Sequence, residues 1–239
     1  MRYLIFVFLM SVFILTSACH EGKNIANNVN NNELIKRNAE NGDVISQYNL
    51  GVMYLQGLNG NKSDLKEAIY WLTKAAESDE PDAQFNLGYI YSSEEFGLKN
   101  YNKAIQWYER SIKNGNSGAM NNLANFYRDG TGLSKNLDKA VDLYTQSSDK
   151  GYMPAKVNLG NLYLNGYGVK KDIKIAFDYY EVAAQQGDAD GQYLLGSMYI
   201  EGLGVEENFE KGLFWIKRSA EQGNDVARNR ILKIQEGRI

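Results

Sequence analysis

One stretch of the chain decides the fold. Residues 184–199 read AQQGDADGQYLLGSMY, in which a Leu-Gly step is followed by a tyrosine three residues after the glycine. The same pattern, with alanine for glycine in one copy, recurs at intervals of 37, 36, 36 and 36 residues. The five copies are Leu50-Gly51 with Tyr54, Leu87-Gly88 with Tyr91, Leu123-Ala124 with Tyr127, Leu159-Gly160 with Tyr163, and Leu195-Gly196 with Tyr199.

Two further sets of small residues keep the same period. One consists of Ala68, Ala104, Ala140, Ala176 and Gly212, and the other of Gly115, Gly151, Gly187 and Gly223, with 36 residues between neighbours in both sets. Self-similarity at a fixed period of this length is the signature of a repeat protein, in which each unit stacks on the next. The sequence therefore predicts five copies of one structural module.

Each copy contains two helical patterns separated by a turn. In the fourth copy, apolar residues at helical spacing stop at Gly166-Tyr167-Gly168, resume in a second segment, and stop again at Gly187. Small residues in both helices would let the two helices approach closely. Aromatic side chains would then fill the space between successive helix pairs, namely Tyr54, Trp71, Trp107, Tyr179 and Trp215.

The composition excludes several classes of chemistry. The chain has 239 residues with a net charge of −3, and its single His20 and single Cys19 are adjacent. No intramolecular disulfide, His/Cys metal cluster or Ser-His-Asp triad can form from such a set. Binding to a phosphate backbone requires clustered basic residues, which an acidic chain lacks. We therefore expect no catalytic residues, no metal, no cofactor and no nucleic acid.

Two pairs of adjacent carboxylates are the remaining candidates for catalysis. Glu94 with Glu95 and Glu206 with Glu207 fall in predicted turns. Paired-carboxylate hydrolysis needs groups that flank one bond, and neighbours on a loop do not. The interpretation favoured by the sequence is that both pairs are solvated turn residues.

The N-terminal segment has the form of an export signal. Residues 3–15 form an apolar run of 13 residues, shorter than the roughly 20 that a membrane span needs, and a small-residue step precedes Cys19. This step resembles a bacterial lipobox, which implies a signal peptide over 1–18, a lipid on Cys19 and attachment to the cell envelope. Residues 19–32 are rich in asparagine and predict a flexible tether. Ordinary secretory cleavage after Ala18 and an uncleaved anchor are the alternatives.

The repeated segments resemble a known family. The stretch 184–199, together with GLGV at 202–205 and FEKGLFW at 209–215, is similar to Sel1-like repeats, which are 36-residue relatives of the tetratricopeptide repeat. The resemblance covers residues 39–223. It implies an all-α fold, a right-handed superhelical solenoid of five helix-turn-helix repeats with capping helices, about twelve helices in total. Two departures from the pattern are Glu94-Glu95-Phe96 in place of a glycine turn and an extra loop residue around Leu58-Asn59-Gly60.

The repeat registers set the domain boundaries. The solenoid is expected over 33–239, with repeats at about 42–78, 79–114, 115–150, 151–186 and 187–223, and a C-terminal cap over 224–239. A leading helix over 33–41 and a closing helix over 225–235 would supply the polar ends that a solenoid needs.

The resemblance also implies where a partner would bind. In tetratricopeptide relatives, the first helices line a groove, and the positions flanking the Leu-Gly step face it. The candidate partner-binding residues are Asn49, Asn86, Tyr89, Asn122, Asn125, Arg128, Asn158, Asn161, Asn165, Ser197 and Glu201. An asparagine side chain can both donate and accept hydrogen bonds. The alternative is that these asparagines only bridge neighbouring repeats.

Two binding functions are consistent with such a chain, and the sequence does not separate them. Small lipid-anchored proteins with this repeat include immunity proteins that neutralise secreted antibacterial effectors in the periplasm. The other possibility is an envelope adaptor for cell-wall, secretion or host-interaction proteins. For both we expect a protein partner, attachment to a membrane through the lipid on Cys19, and an outer-membrane location facing the periplasm.

Overall fold

The polypeptide backbone is helical throughout the repeats. The computed structural model describes residues 25–58 and 63–237, with side chains from residue 32 onward, and this part of the chain contains no strand. Its twelve helices are α1 (Ile25–Glu40), α2 (Val44–Gln56), α3 (Leu65–Glu77), α4 (Pro81–Ser92), α5 (Tyr101–Lys113), α6 (Ser117–Asp129), α7 (Leu137–Asp149), α8 (Met153–Asn165), α9 (Ile173–Gln185), α10 (Ala189–Glu201), α11 (Phe209–Glu221) and α12 (Asp225–Gln235). The prediction of an all-α solenoid of five helix-turn-helix repeats is confirmed.

Polar caps and glycines define where the helices begin and end. The second helices of the five repeats are α3, α5, α7, α9 and α11. Each starts after an Asp or Asn whose side chain accepts a hydrogen bond from a backbone N–H, and these caps are Asp64, Asn100, Asn136, Asp172 and Asn208. Such a cap satisfies donors that the first turn leaves unpaired. Four first helices end at a glycine in the left-handed conformation, whereas α4 ends at the extended Ser93, where the sequence lacks the glycine turn.

The two helices of a repeat touch at a small residue. In the second repeat, a Cβ added to Gly88 of α4 would lie 2.6 Å from Cδ1 of Tyr108 in α5, which is closer than real Cβ contacts come. In the first repeat, the same addition to Gly51 would lie 2.7 Å from Cγ of Leu72. The predicted reason for the small residues, close approach of paired helices, is confirmed.

Successive repeats are joined by apolar clusters rather than by one central core. Leu72, Ala75 and Ala76 of α3 pack against Leu87 and Ile90 of α4, and all five are inaccessible to solvent. Corresponding clusters join the second helix of each later repeat to the first helix of the next. Each repeat therefore buries its apolar surface only by stacking on its neighbours.

Aromatic side chains pack at these junctions, as the sequence predicts. Trp71 is 7% exposed and lies against Ala39 and Leu50, while Trp107 and Trp215 pack on the clusters of the preceding junctions. The Tyr163 and Tyr179 rings stack with their centroids 5.8 Å apart.

The leading helix starts earlier than the sequence predicts. It begins at Ile25 rather than at residue 33, so residues 25–32 are helical and not part of a tether. An asparagine costs at most about 0.7 kcal/mol relative to alanine in a helix, and residues 25–41 contain no proline or glycine to stop it. The closing helix α12 has the predicted bounds.

Several predictions lie outside the described residues. They are the signal peptide, the lipid on Cys19, the part of the tether before Ile25, and the extra loop residue at Asn59 and Gly60. Among the described helices, none has the length and apolar character needed to cross a membrane.

Overpacking a helix contact tests the register of the repeats. Ala140 of α7 is fully buried, so Ala140→Leu inserts three carbon atoms where no space exists. We expect it to lower the free energy of unfolding by about 1–3 kcal/mol, measured by urea denaturation. Gln106→Leu, at an exposed position of α5, serves as the control. Equal stability of the two variants would show that the assigned register is wrong.

Candidate functional site

The first helices of the repeats lie on the inner side of the stack. Consecutive first helices touch directly, α4 with α6 and α8 with α10, whereas no pair of second helices in the described chain makes a comparable contact. In a stack of helix pairs, the layer whose helices approach one another lies on the inside of the curve. We call the solvent-facing side of the first helices in repeats 2–5 the inner face, and it carries most of the predicted partner-binding residues.

Three buried tyrosines of the second helices extend to the inner face. Tyr108, Tyr144 and Tyr180 occupy the same position in α5, α7 and α9, and each side chain is at most 1% exposed. The small residue of the facing first helix, such as Gly88, leaves room for the ring, so the hydroxyl reaches polar groups between the first helices. Repeats 1 and 5 carry Leu72 and Ile216 at this position, so the hydroxyls are confined to the three central repeats.

The hydroxyl of Tyr144 orients Asn125. Arg128 donates from Nη1 to the Tyr144 hydroxyl oxygen at 3.1 Å, and the hydroxyl donates to Oδ1 of Asn125 at 2.5 Å. Because a guanidinium can only donate, the hydroxyl proton is left for Asn125. Arg128 is itself held by a two-bond contact with Asp129, both bonds 2.8 Å long.

Asn161 has the same arrangement one repeat further on. The Tyr180 hydroxyl donates to Oδ1 of Asn161 at 2.7 Å. In both asparagines the oxygen is thus engaged, while among the described residues no partner contacts the side-chain nitrogen. Neither nitrogen is among the buried unpaired atoms, so both remain accessible to solvent. Asn125 and Asn161 therefore present two open N–H donors at equivalent positions of adjacent repeats.

The hydroxyl of Tyr108 is satisfied within the fold. Asn122 donates to it from Nδ2 at 3.2 Å, and Oγ of Ser92 lies 3.1 Å away. Ser92 donates its own proton to the backbone oxygen of Tyr89, so Tyr108 must donate to Ser92. Asn122 thus bridges two repeats, as the alternative interpretation of the asparagines states.

Both ends of the inner face are occupied by contacts within the chain. Arg230 of the closing helix α12 donates to Oγ of Ser197 and to Oε1 of Glu201, both at 2.9 Å. At the other end, the Tyr89 hydroxyl donates to Glu95 at 3.4 Å, and its ring meets Phe96 edge-on with centroids 5.9 Å apart. Open polar groups are therefore concentrated in repeats 3 and 4.

The remaining predicted residues have different surroundings. Asn49 is exposed in the first repeat, whereas Asn86 is 3% exposed. Little of the Asn86 side chain is therefore exposed for a partner, and its role in binding stays a prediction. Asn158 donates to Oδ1 of Asn121 at 2.9 Å, and the exposed Asn165 donates to a backbone oxygen of its own helix.

Sequence reasoning missed the residues that organise this face. The tyrosines at 108, 144 and 180 share the 36-residue period, and that regularity could have identified them. Arg230 falls 36 residues after Leu194, in the register of the predicted asparagines, but the pattern gives no sign that it would engage Ser197 and Glu201.

The carboxylate pairs do not form a site that flanks one bond. Glu94 makes an ion pair with Lys99 at 2.6 Å, Glu95 accepts from Tyr89, and Glu206 and Glu207 are both exposed. In the described part of the chain, no group of three or more His, Cys, Asp or Glu side chains is placed to hold a metal ion.

The chain belongs to the Sel1 repeat family. The family model matches residues 44–80, 81–116, 117–152, 154–188 and 189–224, two or three residues after the predicted repeat starts. Sel1 repeats form a protein-interaction scaffold and generally bind protein partners. A putative sel1-like repeat-containing protein, L21 of Acanthamoeba polyphaga mimivirus, is 39% identical over 69 residues, which is 29% of this chain and 13% of that protein. The chain thus matches only a small part of that relative's length.

Solved structures share the fold. A Sel1 repeat protein from Oxalobacter formigenes superposes with a TM-score of 0.72 at 36% identity, covering 77% of this chain and 75% of that one. For c5321, a protective antigen in uropathogenic Escherichia coli with an SLR fold, the TM-score is 0.71 at 29% identity, and the match covers 86% of this chain and 44% of that one. For the immunity protein Pa5087 from Pseudomonas aeruginosa, the TM-score is 0.57 at 20% identity, and the match covers 80% of this chain and 73% of that one. At this identity the likeness is one of fold alone.

The buried tyrosines predict a loss of stability at alkaline pH. Burial raises the pKa of Tyr108 to about 12 and also raises the pKa values of Tyr144 and Tyr180. A folded-state pKa above the unfolded value of about 10 stabilises the fold below pH 10, and this contribution is lost as the pH rises toward 12. We expect the urea midpoint to fall between pH 9 and 12, and to fall less steeply in Tyr180→Phe than in the wild type. Tyr70→Phe, at a half-exposed ring, should keep the wild-type slope. Identical slopes for all three proteins would contradict this assignment.

Proposed function

We propose that this chain is a non-catalytic binding protein that captures a protein partner on its inner face. The observation that carries the proposal is the pair of open donors on Asn125 and Asn161, each oriented by a buried tyrosine hydroxyl. Side chains fixed before binding lose little conformational entropy when a partner arrives. Arg128, fixed by its ion pair with Asp129, adds further polar groups to the same region.

The partner that we favour is a secreted antibacterial effector, which the chain would neutralise as an immunity protein. The Pseudomonas aeruginosa protein Pa5087 is an immunity protein with this fold, so the architecture is compatible with that role. The body consists of repeats and capping helices, with an organised face at its centre, which suits an inhibitor that acts by occupying another protein. An export signal before the repeats would bring it to the compartment where such effectors act.

An envelope adaptor is the second candidate. The Escherichia coli protein c5321 is a protective antigen, at 29% identity, and this chain covers 44% of it. In this role the repeats would serve as a scaffold for cell-wall, secretion or host-interaction proteins. In this role, too, the partner would bind on the inner face.

The proposed location is the cell envelope. A lipid on Cys19 would anchor the chain in a membrane, with the outer membrane facing the periplasm as the favoured site. The first helix begins at Ile25, so five residues, 20–24, would separate it from the anchor on Cys19. At roughly 3.5 Å per residue, such a link would hold the start of this helix within about 20 Å of the membrane.

A competition experiment tests the immunity proposal. Deletion of the gene should leave cells sensitive to killing by the parental strain in contact culture. Re-expression of the wild type should restore survival, whereas the Asn125→Asp/Asn161→Asp double variant should not, since it replaces both donors with charged acceptors. Asn102→Asp, the same change on the exposed side of α5, should restore it fully. Wild-type survival of the deletion strain, with an envelope defect in monoculture, would favour the adaptor.

Lipid attachment is tested separately. We expect the protein to incorporate a palmitate analogue and to fractionate with membranes, and Cys19→Ala to abolish both. A wild-type protein that remains unlabelled and soluble in the periplasmic fraction would contradict the anchor and favour ordinary cleavage after Ala18.

A further inference from the structure

Two neighbouring turns at one edge of the stack carry opposite charges at equivalent positions. Three lysines follow the glycine turn of repeat 4, and three glutamates stand at the same positions of repeat 5, 36 residues later. No other pair of adjacent repeats reverses charge at all three positions. The lysine triad is Lys170, Lys171 and Lys174, and the glutamate triad is Glu206, Glu207 and Glu210.

The two triads lie on adjoining turns and face solvent. The turn of repeat 5 packs on the start of α9, where a Cβ added to Gly204 would lie 3.0 Å from Cγ2 of Ile173. All six charged residues are exposed, and the single ion pair that either triad makes in the described chain joins Lys174 to Asp178 at 2.7 Å. Asp172, between the lysines, accepts a backbone N–H as the cap of α9. Five charges of the two triads therefore have no ion-pair partner within the described chain.

Exposed apolar side chains lie on the same edge. Tyr167 and Leu203, at the tips of the two glycine turns, are 54% and 36% exposed, and Phe209 in the first turn of α11 is 45% exposed. The residues equivalent to Phe209 in repeats 3 and 4 are Leu137 and Ile173, and the glycine turn of the next repeat covers each of them. Phe209 belongs to the last repeat, which α12 follows without another such turn. Apolar groups flanked by charges have the composition of a protein interface.

A cavity of about 260 Å³ opens beside the glutamate triad. Its walls are Tyr199, Val205, Glu206, Glu207, Asn208 and Lys211. A water molecule occupies about 30 Å³ in the liquid, so this volume admits the end of a long side chain. Lys211 lies over the Tyr199 ring, 5.6 Å from its centroid, and in the described chain neither carboxylate has an ion-pair partner. A lysine that enters from outside would meet two carboxylates.

The order of the charges selects the kind of partner. A uniformly anionic surface, such as a membrane, would repel the glutamate triad, and a uniformly cationic one would repel the lysine triad. The partner must therefore carry both signs in the reverse order. A second copy of this chain meets that requirement, because a two-fold axis between repeats 4 and 5 brings the same surface against itself. The lysine triad of each copy then faces the glutamate triad of the other.

We propose that two copies of this chain associate through this edge as a two-fold symmetric dimer. Tyr167, Leu203 and Phe209 form the apolar centre of the contact, and the two triads pair around it. This inference goes beyond the proposed function, because it concerns a different surface. The inner face takes no part in the contact, so each copy keeps its own site for a protein partner.

The test measures self-association of the purified protein by sedimentation velocity, with a reductant present so that Cys19 cannot cross-link two chains. We expect a monomer–dimer equilibrium with a dissociation constant on the order of 10 µM at low salt, as for a small interface. Because charges surround the contact, raising the salt to about 0.5 M should weaken association roughly tenfold.

Charge reversal tests which surface forms the dimer. Lys170→Glu/Lys171→Glu and Glu206→Lys/Glu207→Lys should each be monomeric, because each variant places like charges opposite one another across the two-fold axis. An equimolar mixture of the two variants should form the dimer again. In that mixture, the edge of one copy is mainly acidic and the edge of the other is mainly basic.

The control makes the same change away from the edge. Lys113→Glu/Lys150→Glu substitutes exposed lysines at the far ends of second helices and should dimerise as the wild type does. A wild type that stays monomeric at about 100 µM in low salt would overturn the inference. So would dimerisation that survives charge reversal, or a mixture of folded variants that stays monomeric. Because these variants leave the inner face unchanged, failure here with protection intact in the competition experiment would leave the proposed function standing.

Discussion

The structure depends on the close approach of two helices at one small residue per repeat. At Gly88, even a methyl group would collide with the ring of Tyr108. Where the helices meet this closely, the side chains around the contact are excluded from water, and the second helix can pack its other side on the next repeat. The absence of side-chain bulk at this position therefore fixes the separation of the helices within a repeat, and with it the shape of every junction between repeats.

The same contact creates the inner face. Because the first helix has little or no side chain at that point, a large ring of the second helix fits beneath it, and its far end emerges between the first helices. Where the ring is tyrosine, the emerging group is a hydroxyl that can orient an asparagine, as at Asn125 and Asn161. Leu72 and Ile216 in the terminal repeats fill the same space with apolar atoms. The polar groups on the inner face thus depend on whether the buried residue of the second helix is a tyrosine or an aliphatic residue.

The repeats could be predicted from the sequence because a period of 36 residues is visible without knowledge of any contact. Helix ends followed from glycines, since these act within one turn of the backbone. The partners of the asparagines could not be predicted in the same way. Asn86 is 3% exposed whereas Asn125 is partly open, although both flank a Leu-Gly or Leu-Ala step, because their positions differ by three residues and so point about 60° apart around a helix. The contacts of Arg230 depend on how the closing helix seats on the last repeat, which the period does not specify.

The hydroxyls of the central tyrosines, unlike their rings, are not required for packing, and this separates stability from binding in the molecule. Leucine and isoleucine occupy the same position in repeats 1 and 5 and are completely buried. A phenol hydroxyl placed there must lose its water and find partners, a cost that an apolar side chain avoids. Tyr144 and Tyr180 meet that cost by bonding to side chains whose other atoms remain accessible to solvent, rather than to the backbone of the core. The rings fill the space beneath the first helices, but packing does not need their hydroxyls, so the hydroxyls find their physical explanation in the surface side chains that they orient.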